Sequence, residues 1–527
     1  MNHGAVRRDD LPALLAREWD LLIVGGGITG AGILLEASRR GLRALLVEQQ
    51  DFAWGTSSRS SKLVHGGLRY LKQGRLGMTC ESVHERQALL EDAAGLVEPQ
   101  GFAFGDYLGR KPGRRQFMLG LAIYDLMAGR RARRHLDADT FCMLAPHVER
   151  AGLRGGMLYQ DAKTDDARLV LRVLDEAKTY GGVAVNYLGV QSLLREQGQV
   201  DGAMLTDALT GDEHAVRAQL VISATGAWAD GLRGQLGAAP RLRPLRGSHL
   251  LLPAWRLPLA QAVSLMHPQD GRPVFAYPWE GVTLVGTTDT DHGDGLDAEA
   301  SITRGEMDYL LAALRWQFPA LALDESDVIA TFSGVRPVIG SGALDPSKEG
   351  REHALWLEDG LLTVGGGKLT TFRAIALGAL RKAAPLLPHW RADLRKRPIF
   401  AAPAPLSAAA LALDAQQQQR LAGRYGGAAQ ALCDAAQEGE LATIAGTQTL
   451  WAQLRWGARR EDVQHLDDLL LRRTRLGLQL AGGALAILPR VRAICQGELG
   501  WDDARWEQEQ TRYLALWQRH YSVPGAL

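Results

Sequence analysis

The segment Asp20-Leu21-Leu22-Ile23-Val24-Gly25-Gly26-Gly27-Ile28-Thr29-Gly30, with a second apolar run over 42–47 that ends on Glu48, constrains the fold most strongly. An apolar run predicts a buried strand. Glycines at its first, third and sixth turn positions, followed by helical periodicity to about residue 40, predict a strand–turn–helix. Each part suits a bound dinucleotide. Gly25 permits the tight turn, Gly27 lets a pyrophosphate approach the backbone, and Gly30 lets helix pack on strand. The helix start at Ile28 and Thr29 offers N–H groups to phosphate, and Glu48 can accept from ribose hydroxyls. The motif does not choose between dinucleotides, although its place near the N-terminus favours FAD.

Composition narrows the class. A chain of 527 residues can bury a large core and divides into two or three domains. Lys and Arg total 60 against 59 for Asp and Glu, so global charge points to no polyanion partner and nucleic acid is not expected. Cys80, Cys142, Cys433 and Cys495 are far apart and form no CxxC, which argues against a disulfide framework or a cysteine metal site; no metal is expected. The first ten residues are polar and mixed in charge, without the apolar core of a signal peptide. No uninterrupted apolar run is long enough to span a bilayer.

Residues 81–98 and 167–180 show helical periodicity, whereas 183–290 has strand texture. The Pro- and Ala-rich stretch 395–408 marks a boundary, and 408–527 is expected to be a separate all-helical domain. Its mixed charges at 459–475 suggest surface and inter-helix ion pairs. The preceding part, 1–395, is expected to be a cofactor-binding domain with substrate-binding pieces interleaved at roughly 75–165 and 240–330.

Several constellations can carry chemistry. A strand running into Gly365-Gly366-Gly367-Lys368 and then a helix forms a second junction whose N–H groups can face an anionic ring. Thr56, Ser57, Ser58, Ser61, Lys62, His65, Gly66 and Gly67 lie in a dense run of donors suited to phosphate and ring edges. Arg69, Arg336 and Lys368 are isolated cations beside glycine or tight backbone. They can converge on a small dianion, Arg as a bidentate clamp and Lys as a point charge, or they can be structural ion pairs. His249 can take a hydroxyl proton, or can be a satisfied structural residue. Finally, Arg110, Lys111, Arg114 and Arg115 precede the apolar run 117–128, and Arg130, Arg131, Arg133 and Arg134 follow it. That run is too short to cross a bilayer but can lie in its interface, each flanking cation contributing about 1 kcal/mol near an anionic surface. A buried helix with solvated basic ends is the alternative.

The motif Asp51-Phe52-Ala53-Trp54-Gly55-Thr56-Ser57-Ser58-Arg59-Ser60-Ser61-Lys62-Leu63-Val64-His65-Gly66-Gly67-Leu68-Arg69-Tyr70-Leu71 closely resembles the flavin loop of the aerobic, FAD-dependent glycerol-3-phosphate dehydrogenases. Gly247-Ser248-His249, Gly286-Thr287-Thr288-Asp289, Ser333-Gly334-Val335-Arg336-Pro337 and Gly365-Gly366-Gly367-Lys368-Leu369-Thr370 follow in family order. The resemblance implies an α/β fold with a Rossmann-like FAD domain of the D-amino-acid-oxidase and glutathione-reductase type, an interleaved antiparallel substrate sheet and an all-α C-terminal domain. It implies oxidation of sn-glycerol 3-phosphate to dihydroxyacetone phosphate, with electrons passed to ubiquinone. On matching positions Arg69, Tyr70, Arg336 and Lys368 would hold substrate, and His249 or Arg336 would assist loss of the hydroxyl proton. Gly226, Gly367, Lys368, Leu369 and Thr370 would join the FAD site. A homodimer, peripheral on the inner face of the cytoplasmic membrane and touching lipid through 110–134, is the expected assembly. An oxidase that passes electrons to oxygen, and a flavoprotein without turnover, are the competing readings. The departures from the family pattern, Thr29, Trp54 and Ala227, remove no charged group.

Overall fold

Strands buried on both faces need unbroken apolar sequence, and three such segments form the centre of the first sheet. The computed structural model describes residues 8–68, 71, 74–340, 352–407, 410 and 413–525. Among these, the first sheet runs His353–Glu358, Leu361–Gly366, Glu213–Ser223, Trp19–Val24, Ala44–Val47 and Val183–Val185. The four strands around Trp19–Val24 are parallel, with Val24 opposite both Val47 and Ser223, and Ser223 opposite Thr363. Their carboxyl ends therefore open at one level. Side-chain alternation divides the apolar run between two cores. Leu21 and Ile23 pack with the helices Ile28–Ser38, Asp166–Thr179 and Phe372–Ala383, while Leu22 and Val24 pack toward the pair Leu188–Glu196 and Gln199–Asp207.

The second sheet is mostly antiparallel. Leu242–Pro253 pairs with Val282–Gly286 on one side and Ala330–Ile339 on the other, placing Ser248 opposite Ser333 and His249 opposite both Gly286 and Phe332. Through Pro273–Trp279, Ala262–Met266, Val97–Tyr107 and Leu153–Thr164 it reaches Leu63–Val64, directly after the serine-rich loop. The helix expected over 81–98 spans Leu76–Asp92 instead, because Val97 already begins a strand.

The helical tail includes Ala415–Tyr425, Trp451–Arg460, Leu488–Leu499 and Asp503–His520. Trp506, Tyr513 and Leu470 share one core with Phe102, Leu251, Tyr277 and Phe332 of the second sheet. Of the mixed charges near 459–475, Arg459 and Arg460 are exposed, Arg459 making the expected inter-helix pair with Glu498, but the rest are buried. Arg472, Arg473 and Arg475 are buried and reach into the first half of the chain, Arg472 and Arg473 to Asp51, Arg475 to Asp166. Periodic charge reads as a wet face, but here the partners of these arginines are carboxylates some three to four hundred residues away.

Candidate functional site

The carboxyl ends of the parallel strands carry three glycine turns. Gly25 has φ of +113°, and a Cβ there would stand 2.6 Å from the Ala224 carbonyl oxygen. At Gly30 an added Cβ would come within 1.9 Å of Gly25 O, so this helix can meet this strand only through glycine. Gly27 caps the helix without a side chain, and Ser57 Oγ accepts the Ile28 N–H at 3.0 Å beside it. Glu48 accepts from Gly26 N–H at 2.6 Å and Gln50 N–H at 2.9 Å. Burial pushes its carboxyl up, and two oxygens retain lone pairs for ribose hydroxyls. The second turn, Gly226, has φ of +58° with open space around it. At the third, Gly366 and Gly367 have φ of +71° and +100° and lead through Leu369–Thr371 into Phe372–Ala383. Thr370 Oγ1 donates to His65 O at 3.4 Å, joining this junction to the serine-rich loop.

That loop spends much of its polarity internally. Thr56 Oγ1 donates to Val335 O. Ser60 gives both N–H (3.0 Å) and Oγ (2.8 Å) to Asp166, and Gly66 N–H goes to Asp161 at 2.9 Å. The Lys62 side chain, expected at the cofactor, is turned inward. It is fully buried, donating to Ser58 O at 2.8 Å and Asp166 at 2.9 Å beside Phe332 and Trp279. Burial and then nearby Arg475 push its ammonium down to about 8, against the pull of Asp166. Trp54, one of the family departures, packs 5.8 Å from Trp228 with Arg59 over its ring.

The wall opposite is built on the second sheet. Arg336 is held by Asp289 at 2.8 Å and Thr287 Oγ1 at 3.0 Å. Asp289 is buried and also pairs with Arg272 at 3.2 Å. His249 stacks on Phe332 at 4.5 Å and shares a 2.9 Å hydrogen bond between Nε2 and Ser61 Oγ. Lys368 Nζ lies 3.5 Å from Ser82 Oγ. Arg69 and Tyr70 fall outside the described residues.

Burial, then the positive fields of Arg336 and Lys62, push the His249 imidazole well below 6.5. The ring is therefore neutral at pH 7, and burial and the two cations oppose its protonation. The unfolded chain binds that proton below about 6.5 and the fold does not, so stability should fall as pH drops from 7 toward 5. A His249→Asn variant should lose less over that interval; equal urea-midpoint losses would contradict the neutral assignment.

Two buried hubs lacked a sequence signal. Glu306 receives Ser248 Oγ at 2.9 Å, Thr288 Oγ1 at 2.7 Å and Arg246 Nε at 3.0 Å, tying the strand that carries His249 to Thr288, which stands between the Thr287 and Asp289 that hold Arg336. Burial raises its carboxyl, but these donors outweigh that and hold it below the usual range. Asp161 gathers Arg86 at 2.6 Å, Tyr124 Oη at 2.9 Å and the Gly66 amide. Tyr124 lies on Arg114–Met127, whose Leu121 is buried while Leu119 and Leu126 are 65% and 82% exposed. No helix among the described residues is long and apolar enough to cross a membrane.

Residues 20–376 match the FAD dependent oxidoreductase family, and 397–506 match the C-terminal domain of alpha-glycerophosphate oxidase. The aerobic glycerol-3-phosphate dehydrogenase of Bacillus subtilis is 40% identical over 385 residues, covering 71% of this chain and 69% of its own. That of Staphylococcus epidermidis is also 40% identical over 385 residues, covering 72% and 69%. The X-ray structure of glycerol-3-phosphate dehydrogenase from Bacillus halodurans, complexed with FAD, aligns over 98% of both chains at 30% identity with a TM-score of 0.79. L-alpha-glycerophosphate oxidase from Mycoplasma pneumoniae, at 19% identity and TM-score 0.57 over 73% of this chain and 98% of its own, shares the fold. The three glycine turns and the Glu48 carboxylate fit an extended FAD, which is the cofactor. The chain belongs to the family of aerobic, FAD-dependent glycerol-3-phosphate dehydrogenases.

Proposed function

We propose that the protein oxidises sn-glycerol 3-phosphate to dihydroxyacetone phosphate and passes the electrons to ubiquinone while docked on the inner face of the cytoplasmic membrane. The observation that carries the substrate reading is Arg336, a guanidinium clamped by buried Asp289 and Thr287 on the strand that faces His249. Such a preset fork suits a phosphate dianion. Lys368, at the third glycine turn, adds a second positive charge, and Arg69 and Tyr70 are the remaining substrate candidates. FAD supplies the hydride acceptor when bound. His249 or Arg336 assists loss of the hydroxyl proton, and the His249 ring is held for this by Ser61 Oγ, the less buried partner of their hydrogen bond. Glycerol 3-phosphate added without oxygen should bleach the flavin, and a quinone analogue should restore its colour. Stoichiometric peroxide during aerobic turnover would overturn the quinone acceptor.

Membrane docking through 110–134 is supported by Leu119 and Leu126 projecting from a helix with exposed Arg114 and Arg115. Burying two leucines in lipid gains about 1.5–3 kcal/mol each. Replacing both by glutamate should weaken sedimentation with anionic vesicles by at least about tenfold, while turnover with a water-soluble acceptor persists. Undiminished vesicle binding would remove this helix as the contact.

A further inference from the structure

We propose that Arg475, in the helical tail, is a positioning residue of the FAD site, holding the loop at residues 56–62 in its cofactor-binding shape through Asp166 and Ser58. Arg475 Nη2 donates to Ser58 O at 2.7 Å and to Asp166 Oδ1 at 2.8 Å, and Nη1 to Leu471 O at 2.6 Å. Asp166 in turn holds the Ser60 amide, the Ser60 hydroxyl and Lys62 Nζ. One guanidinium thus reaches the loop both directly and through a carboxylate with three further contacts to it. Its backbone has φ of +64°, a conformation disfavoured for arginine, and the residue is 1% exposed. The preceding turn, Asp468–Arg473, is a π-helix that delivers Arg472 and Arg473 side by side onto Asp51, three residues after Glu48.

Charge explains why the tail is needed. To this buried cluster the first half of the chain brings Asp51, Asp165 and Asp166, with Lys62 alone as counterion among the described residues. The tail brings Arg424, Arg472, Arg473 and Arg475, partly offset by Asp467 and Asp468. Without it, unmatched carboxylates would lie beneath the loop where the anionic pyrophosphate docks. Burial raises both Asp51 and Asp165, yet the arginines overcome this and hold Asp51 at about 2 and Asp165 lower than usual.

The test compares full-length Arg475→Gln and Arg475→Lys with Glu461→Gln. The last breaks another buried pair across the same contact, Arg168–Glu461, that has no atom in the loop. FAD affinity is read by titrating each apoprotein, alongside apoprotein Tm and protease sensitivity at 56–62. Arg475→Gln should weaken FAD binding at least about tenfold and expose the loop, Arg475→Lys should recover part, and Glu461→Gln should lower Tm with FAD affinity kept. Equal Tm losses with unchanged FAD affinity in Arg475→Gln would overturn the proposal. Should Arg475→Gln fail to fold, Ser60→Ala, which deletes the hydroxyl between Asp166 and the loop, decides. A loss of about threefold supports the link, and unchanged affinity overturns it.

Discussion

Arg336→Met should lower kcat/KM for glycerol 3-phosphate by between about thirtyfold and several thousandfold, because truncating one member of a charged, partly buried contact costs about 2–5 kcal/mol. Most of the loss should appear in KM if the guanidinium binds the phosphate equally in ground and transition states. It should appear in kcat as well if the fork also stabilises charge on the reacting oxygen. The fold should survive, since Asp289 keeps Arg272 at 3.2 Å after Arg336 is gone, and methionine replaces the aliphatic stem. Flavin content is the control. A variant that arrives without flavin would show that Arg336 shapes the cofactor pocket, and the substrate assignment would fail.

Gly30→Ala should abolish flavin binding outright and lower Tm sharply. The new methyl group would sit 1.9 Å from Gly25 O, less than any real contact permits, and the obstruction is backbone that cannot step aside. Relief requires lifting the helix Ile28–Ser38 off Leu46 and the parallel strands, which breaks the packing of Leu21, Ile23 and Ala31. Overpacking of this kind costs about 1–3 kcal/mol where side chains can yield, and more where they cannot. Isolating the variant with normal flavin content would contradict the turn geometry. Gly27→Ala is the informative companion. Its Cβ would meet only the Ser57 hydroxyl at 3.0 Å, so stability should hold while FAD affinity falls.

The first of these turns was legible because its determinants are local: strand, glycines, helix and acid follow within thirty residues, and each restricts the backbone directly. The same holds for the Gly366–Gly367 junction and for the strands around His249. What escaped were residues whose meaning depends on distant partners. Lys62 sits in a run of donors, yet its ammonium faces Asp166, which opens the helix Asp166–Thr179 and lies 104 residues along the chain. Glu306 looks like an ordinary third residue of a capping box, and Thr303 confirms that role, but its second oxygen holds Ser248 and Thr288. Arg472 and Arg473 show why charge periodicity misleads. A helix with acids and bases at mixed spacing is usually wet, and only burial by another part of the chain reveals it as an internal counterion.

The bond from Arg472 to Asp51 spans 421 residues, and this distance is also a delay. At about 5–20 residues per second, Asp51 emerges from the ribosome tens of seconds before the arginines that neutralise it. Through that interval its interior position is electrostatically costly, with only the Asn186 amide, among the described residues of the first half, beside it. A chain cut short before residue 472 is therefore expected to bind FAD more weakly than the full chain, and equal affinity in a titration of the two would contradict this.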